Sequence, residues 1–157
     1  MSGFVGLVAA AAAGPAGARR LPTRIVLYQS VAGVPLGLTP AEVKRRLGKP
    51  SLTTRVSGKI AELTYYTTAL NVQFDTLHAG DPADFVGTTG HRYRTAKGIH
   101  VGSTVTAVKR AYRTITCSGG PCTLSQGHPG AIGSRSTAFE TGHGKVESID
   151  VQVVLYP

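Results

Sequence analysis

The stretch GVPLGLT, residues 33–39, returns 65 residues later as GIHVGST, residues 98–104. The same offset places the VKR of residues 43–45 on the VKR of residues 108–110, with no gap between the segments. A chance match can produce one short apolar run, but it does not easily keep one register over several separate segments. The sequence therefore predicts two tandem copies of one structural unit. The remaining matches at this offset pair Tyr28 with Tyr93, Leu47 with Tyr112, and Phe74-Asp75 with Phe139-Glu140.

Each copy of the stretch leads into a short helix. In the first copy, residues 39–42 read TPAE, which has the capping-box spacing and places Pro40 at the first helical position. Gly48 and Pro50 are typical of a helix end. In the second copy, Ser103 or Thr104 would cap the helix. Helices of about two turns are marginal alone, so we expect each of them to pack on a sheet.

Residues of alternating polarity follow the first helix. Leu70, Val72 and Phe74 alternate with Asn71 and Gln73, so one side of this strand is predicted to pack and the other to meet water. The Gly/Pro-rich stretch 119–133 is predicted to be a loop. Residues 24–29 are predicted to form a strand before the first helix, and residues 53–56, 59–66 and 70–75 form strands after it, with 85–89 as a fourth in that sheet. In the second copy, strands are predicted over residues 134–140 and 145–155.

Together these elements predict an α+β fold of two tandem helix-plus-antiparallel-sheet repeats. The first repeat is expected to cover residues 19–95 and the second residues 96–157. Residues 1–18 are expected to form a signal peptide, because Phe4 to Ala13 is an apolar stretch of about ten residues, too short to span a bilayer. We place the cleavage after Ala18; the alternative is an unstructured Ala/Gly tail. The protein is therefore expected to be secreted or located in the cell envelope, without a transmembrane span after cleavage.

The two cysteines agree with export. Cys117 and Cys122 enclose Ser-Gly-Gly-Pro, a short sequence that favours a tight turn. In an exported chain, this spacing is typical of a disulfide. A metal site is the alternative, but it needs two further ligands, and His128 is the only candidate nearby in sequence.

The charge favours an anionic partner without identifying one. The chain has 17 Lys and Arg against 8 Asp and Glu, a net charge of +9. Such a chain attracts anionic lipid, wall polymer, nucleic acid or acidic proteins, although the charge can also serve solubility alone. The clusters at residues 44–46 and 109–110 are typical of solvated helix faces. No nucleic-acid partner is expected, because no basic run is interleaved with aromatics and the chain is predicted to be exported.

No catalytic or metal motif is present in the sequence. The histidines do not form a metal-binding spacing, and most of them fall in Gly-rich turns. Ser125 lies near His128, but no strand-to-helix elbow surrounds them. We therefore expect no enzyme activity, no cofactor and no bound metal, with a small hydrolase built around His100 or His128 as a less favoured alternative. The five histidines are His78, His91, His100, His128 and His143.

The string GVPLGLTPAEVKRRLGKP, residues 33–50, resembles the helical opening of the SmpA/OmlA family, which includes BamE. Two such units in tandem resemble the β-lactamase inhibitor protein (BLIP) and its relatives. The resemblance implies that each copy packs helical segments against an antiparallel sheet. BLIP-like copies also carry disulfides, which fits a bond between Cys117 and Cys122. Since fold similarity does not transfer function, β-lactamase inhibition is not inferred.

The outward side of the predicted sheet is the candidate binding surface. Tyrosine is favoured at protein interfaces, and Tyr66 is the tyrosine expected to be exposed, whereas Tyr65 and Tyr112 are expected in the core. We predict a secreted or envelope protein-binding module without catalytic activity. The alternative is a basic, wall-associated structural module that binds an anionic polymer. The predicted binding residues are Tyr66, Glu62, Thr64, Asn71 and Gln73.

Export and disulfide formation can be tested together by intact-mass measurement on the medium and cell fractions of an expressing culture. We expect a species that lacks residues 1–18 and gains the mass of about two hydrogens on reduction, because one disulfide forms outside the cytoplasm. A full-length, fully reduced, intracellular species would contradict both expectations.

Overall fold

The computed structural model describes residues 21–156. The predicted signal peptide and its cleavage site therefore lie outside the described residues. None of the described helices is long and apolar enough to cross a membrane. In chain order the elements are β1 (Arg24–Val26), β2 (Ser30–Val31), β3 (Val34–Pro35), α1 (Pro40–Leu47), β4 (Leu52–Val56), β5 (Lys59–Tyr65), a 3₁₀ helix (Tyr66–Thr68), β6 (Leu70–Phe74), β7 (Ala83–Thr88), β8 (Arg94–Thr95), α2 (Val105–Ala111), β9 (Thr116–Cys117), β10 (Cys122–Gln126), β11 (Arg135–Gly142) and β12 (Lys145–Val153).

The strands form two sheets, and the fold is α+β with strands predominating. The larger sheet has eight antiparallel strands in the order β4-β5-β6-β7-β12-β11-β10-β9. The smaller sheet has the order β3-β2-β1-β8, and its β1 and β8 run parallel, with Ile25 opposite Thr95. Because β7 pairs with β12, β4 to β7, which follow α1, and β9 to β12, which follow α2, belong to one continuous sheet.

One face of the large sheet supplies most of the core. A row of directly opposed residues crosses six strands and is buried throughout, and the helix residues Val43 and Val108 lie in the same buried cluster. The small sheet contributes Ile25, Val31 and Val34 to that cluster. Each fully buried aliphatic side chain contributes about 1.5–3 kcal/mol to stability. The helices and the small sheet therefore cover the same face. The buried row is Leu63, Val72, Val86, Val151, Thr137 and Leu124.

The two similar stretches make matching contacts with the large sheet. Gly37 N–H donates to the carbonyl oxygen of Ala83 at 2.7 Å, and Ala83 N–H donates back to Leu38 at 2.8 Å. Gly102 N–H donates to Val146 at 2.7 Å, and Val146 N–H donates back to Ser103 at 2.9 Å. Gly37 and Gly102 have φ values of 87° and 95°, a region that favours glycine. Each stretch is thereby bonded to the start of a central strand, β7 or β12.

Both predicted helix caps are present. Thr39 Oγ1 accepts from Glu42 N–H at 3.3 Å, and the Glu42 carboxylate accepts from Thr39 N–H at 2.9 Å, which completes a capping box. In the second helix the cap is Thr104, whose Oγ1 accepts from Ala107 N–H at 3.1 Å. Ser103, the other candidate, instead accepts from the backbone N–H of His100 at 3.0 Å.

Two sequence-based assignments, one strand and one loop, were wrong in extent, and a further strand was confirmed with shifted bounds. The strand predicted over residues 24–29 ends at Val26, because Tyr28 adopts a positive φ of 64° and the chain reverses into β2. The loop predicted over 119–133 contains β10, which pairs with β11 along its length. The strand predicted at residues 85–89 spans Ala83–Thr88 and lies at the centre of the large sheet.

The helix caps can be compared by substituting each threonine. We expect Thr39→Ala and Thr104→Ala each to lower the free energy of unfolding by about 1 kcal/mol. Thr39→Ala should lower the free energy of unfolding by more than Thr104→Ala, because it also removes the hydroxyl group that donates to the Glu42 carboxylate. Urea denaturation followed by circular dichroism measures both. Thr106→Ala, within α2 and exposed, is the matched control; an equal loss in this variant would show that the caps do not carry the effect.

Candidate functional site

The face of the large sheet that points away from the helices contains a depression. On this face Thr64, Asn71, Gly87 and Asp150 stand directly opposite one another on β5, β6, β7 and β12. Because Gly87 has no side chain, the middle of this row is low. The depression has a volume of about 460 Å³. Its lining residues are Thr64, Tyr65, Tyr66, Ala69, Leu70, Asn71, Gln73, Phe85, Gly87, Thr88, Thr89, Ser148 and Asp150.

Four of the five predicted binding residues line this depression. Thr64, Asn71 and Gln73 lie on its strands, and Tyr66 stands at its rim in the 3₁₀ helix, with 67% of its surface exposed. Glu62 lies beside the depression and accepts hydrogen bonds from Thr64 Oγ1 at 2.8 Å and Asn71 Nδ2 at 2.6 Å. The structure therefore brings the five residues together. Their role in binding stays a prediction.

Asn71 has a buried oxygen without a hydrogen-bond donor. Its Nδ2 is used by Glu62, which fixes the amide with Oδ1 on the other side. Among the described residues, Asn71 Oδ1 is the buried side-chain polar atom that lacks a partner. A buried acceptor of this kind costs free energy unless a donor reaches it.

Phe85 forms an apolar surface in the middle of the depression. Its ring lies over Gly87, since a Cβ atom at residue 87 would stand 2.8 Å from Phe85 Cε1. The same Cβ would be 3.4 Å from the Cβ of Asp150. Glycine at this position therefore allows the ring to approach the backbone closely, in the row where Asn71 of β6 and Asp150 of β12 flank Gly87.

Asp150 is a carboxyl group with little access to water. Only 3% of its surface is exposed, and Gln152 Nε2 donates to its Oδ2 at 3.0 Å. Burial raises the pKa of Asp150 from 3.8 to about 7, and the charge of Glu140 adds to the increase, whereas the hydrogen bond from Gln152 opposes it. This carboxyl group therefore changes its charge near neutral pH.

Sequence reasoning missed Asp150, Phe85 and Gly87 as parts of the site. A signal for Asp150 was present: alternation along residues 145–155 places Ile149 and Val151 in the core and hence Asp150 outside. Phe85 and Gly87 belong to the site because β7 is central, and no local pattern indicates which strand is central.

The histidines do not assemble a recognisable catalytic or metal site in residues 21–156. His100 Nδ1 lies 2.6 Å from Ser103 Oγ, and the Nδ1 of His91 bonds to the carbonyl oxygen of Val101. His128 lies in the turn between β10 and β11. No group of three or more metal-ligating residues is found in the described part of the chain.

A second polar cluster fastens the end of the described chain. Asp75 accepts hydrogen bonds from the Tyr156 hydroxyl and from Leu77 N–H, and it contacts His78, whose ring stacks on Tyr156 at 5.1 Å. Burial acts to raise the pKa of Asp75, but these hydrogen bonds hold it below its usual value. The cluster joins Tyr156 to the loop between β6 and β7, which is a structural role.

The predicted disulfide is present. Cys117 and Cys122 are directly opposed on β9 and β10 with their Cα atoms 4.1 Å apart, and their sulfur atoms are bonded. The alternative of a metal site at these cysteines is therefore not supported, because neither sulfur is free to bind an ion. The bond closes the outer edge of the large sheet at its shortest strand.

Comparison with known proteins gives little further information. No protein-family model matches this chain. No curated protein matches it either. Among solved structures, the fold is similar to the crystal structure of a DUF4309 family protein, YjgB, from Bacillus subtilis subsp. subtilis str. 168. The match has a TM-score of 0.46 and 10% sequence identity, and it covers 73% of this chain and 78% of that protein. The resemblance to SmpA/OmlA and BLIP-like proteins is not confirmed by these comparisons.

The burial of Asp150 makes a prediction about stability and pH. Between about pH 4 and 7 the folded state keeps the proton of Asp150 while the unfolded state releases it, so the free energy of unfolding falls as pH rises. Asp150→Asn removes this loss. Across this window, we expect the free energy of unfolding of the variant, relative to that of the wild type, to increase by at most about 1.4 kcal/mol per pH unit. Above pH 7 the difference should not increase further.

Urea denaturation of both proteins at several pH values measures this difference. Glu147→Gln on the same strand is the matched control, because Glu147 is exposed. A constant stability difference between Asp150→Asn and the wild type from pH 4 to 8 would contradict the assignment of a raised pKa.

Proposed function

We propose that this protein is an exported, non-catalytic protein-binding module whose partner lies on the face of the eight-stranded sheet that points away from the helices. The observation that carries the proposal is the depression on that face. It contains a buried carboxyl group, Asp150, and a buried acceptor, Asn71 Oδ1, that has no donor. Buried polar groups in folded proteins are normally bonded, and a partner that supplies donors would complete this arrangement.

The aromatic side chains around the depression support the same proposal. Tyr66 extends from the rim into solvent, and the Phe85 ring lies at the centre. Interfaces concentrate their binding energy in a few aromatic and arginine anchors near the centre of the contact. The strands beneath are rigid parts of one sheet, so a partner meets a surface that is largely formed before binding.

We also propose that the fold consists of two copies of one unit, offset by 65 residues. Supporting this, Val72 pairs with Val86 and Asn71 with Gly87, while the residues 65 positions later pair in the same way, Thr137 with Val151 and Ser136 with Gln152. The matched hydrogen bonds of residues 33–39 and 98–104 and the two threonine caps support it further. Fusion of two such units through β7 and β12 produces a face wide enough for a protein partner.

Export is supported by the disulfide and by the N-terminal sequence. A disulfide persists in oxidising compartments, and the one between Cys117 and Cys122 lies on a two-residue edge strand. The apolar stretch from Phe4 to Ala13 has the length of a signal-peptide core.

The layer opposite the depression favours a second candidate function, binding to an anionic envelope polymer. Val43 and Val108 are the helix residues that are buried in the core. The exposed Arg45, Lys109 and Arg110 therefore lie on the side of the helices away from the large sheet. A basic surface of this kind binds polyanions, and salt weakens the interaction strongly.

Site-specific photo-crosslinking tests the proposed function. A photoreactive amino acid replaces Tyr66 at the rim of the depression or, as a control, Arg110 on the exposed side of α2. We expect illumination of expressing cells to give adducts of defined mass from position 66 and none of the same mass from position 110. Adducts from position 110 alone would contradict binding through the sheet.

The polymer alternative is measured with polyphosphate as the probe. This candidate is supported if the wild type is retained on polyphosphate and the retention disappears both in high salt and in the double variant Lys109→Gln, Arg110→Gln. The crosslink at position 66 should be insensitive to both changes if the partner rests on the sheet.

A further inference from the structure

We propose that the depression binds the guanidinium group of an arginine side chain that the partner contributes, held between Asp150 and Asn71 and stacked on Phe85. This inference rests on the proposed function, since the arginine belongs to a partner on the face of the sheet that points away from the helices. It specifies the chemistry by which that partner is recognised.

The two groups at the sides of the depression are both hydrogen-bond acceptors. Asn71 presents Oδ1, because Glu62 holds its Nδ2 at 2.6 Å. Asp150 presents its Oδ1, because its other oxygen receives the bond from Gln152. With acceptors on both sides, the group that would pair with both of them is one that carries several N–H donors.

The space between these acceptors suits a planar cation. Asn71 and Asp150 are both direct neighbours of Gly87 on adjacent strands, so their Cα atoms are about 10 Å apart at the usual strand spacing. The Phe85 ring lies on Gly87 within this gap. A guanidinium has five donors in a planar fork and stacks on aromatic faces, whereas an ammonium is a compact, strongly hydrated charge.

The charges around the depression favour the binding of a cation. The ion pairs among the described residues do not include Asp150. In residues 21–156 the acids in ion pairs are Glu42, Asp75 and Asp81. The groups around Asp150 are Ala138 and Glu140 from β11, Gln152 from its own strand, and the uncharged Gly87 and Phe85 from β7. An arriving guanidinium would therefore bring to this carboxyl group a positive charge that none of the ion pairs in residues 21–156 supplies.

Binding of the cation should depend on pH. A neutral Asp150 attracts a guanidinium weakly and an ionised one strongly, and burial raises the pKa of Asp150 to about 7. Affinity is therefore expected to increase from pH 6 to pH 8, while arginine itself stays charged throughout this range.

The test is a titration of the full ¹⁵N-labelled chain with N-acetyl-L-argininamide, followed by amide chemical shifts. N-acetyl-L-citrullinamide, which has nearly the same shape but no charge, is the control probe. We expect the arginine probe to shift the amides of Asn71, Gly87 and Asp150, with affinity about tenfold higher than that of the citrulline probe. The lysine analogue should bind more weakly than the arginine probe.

Two variants and a control locate the effect. Asp150→Asn should weaken binding of the arginine probe about tenfold and remove its pH dependence. Gly87→Ala should also weaken it, because the new Cβ displaces the Phe85 ring. Glu147→Gln should bind like the wild type, since it removes the same charge from an exposed position on β12. Unchanged amide shifts outside the depression in each variant establish that the fold is intact.

Equal binding of the arginine and citrulline probes, equal binding of the lysine probe, or shifts only outside the depression would overturn this inference. Its failure is separable from failure of the proposed function. If the arginine probe does not bind but the crosslink at position 66 persists, the arginine subsite is wrong and the binding face stands. If the crosslink is absent while the probe binds at Asp150, the arginine subsite stands and the proposal of a protein partner on this face is wrong.

Discussion

β7 pairs with β12 from Phe85 opposite Gln152 to Thr88 opposite Ile149, and this pairing joins the two halves of the chain. Without it, the strands after α1 and those after α2 would each end in an unpaired edge, which favours association with other chains. With it, Val86 and Val151 face each other at the centre of the buried row, in the same core as residues of both helices and the small sheet. The pairing also creates the depression, because Gly87 and Asp150 stand opposite each other on these two strands.

The helices and the small sheet pack on one face of the large sheet, so polar side chains on the other face must find hydrogen-bond partners among their neighbours there. Along β12, residues that alternate with the buried Ile149 and Val151 must point to the open side, and Asp150 is one of them. Its side chain is nevertheless shielded from water, with 3% of the residue's surface exposed. Burial raises its pKa to about 7, so its ionised form destabilises the folded state at neutral pH. Stability alone does not favour an aspartate at this position, because a neutral side chain would avoid that cost.

Features encoded by neighbouring residues could be predicted from the sequence. The caps at Thr39 and Thr104, the burial of Tyr65 and Tyr112, and the bond between Cys117 and Cys122 depend on spacing within one segment. Features that depend on contacts between distant segments could not be predicted in this way. The central place of β7, the pairing of β10 inside a Gly/Pro-rich stretch, and the position of the Phe85 ring over Gly87 follow from strand order, which local periodicity does not contain.

The same distinction explains why the candidate site was only partly anticipated. The period-two alternation of β5 and β6 places Thr64, Asn71 and Gln73 on one face, and they line the depression there, while their role in binding stays a prediction. The residues that give the depression its chemistry come from β7 and β12, and Asp150 lies 79 positions after Asn71 along the chain. The polar pattern of one hairpin therefore locates the surface, whereas the buried carboxyl group and the aromatic floor exist only once the halves have joined. If the partner needs both, then the join between β7 and β12 is a condition for recognition as well as for folding.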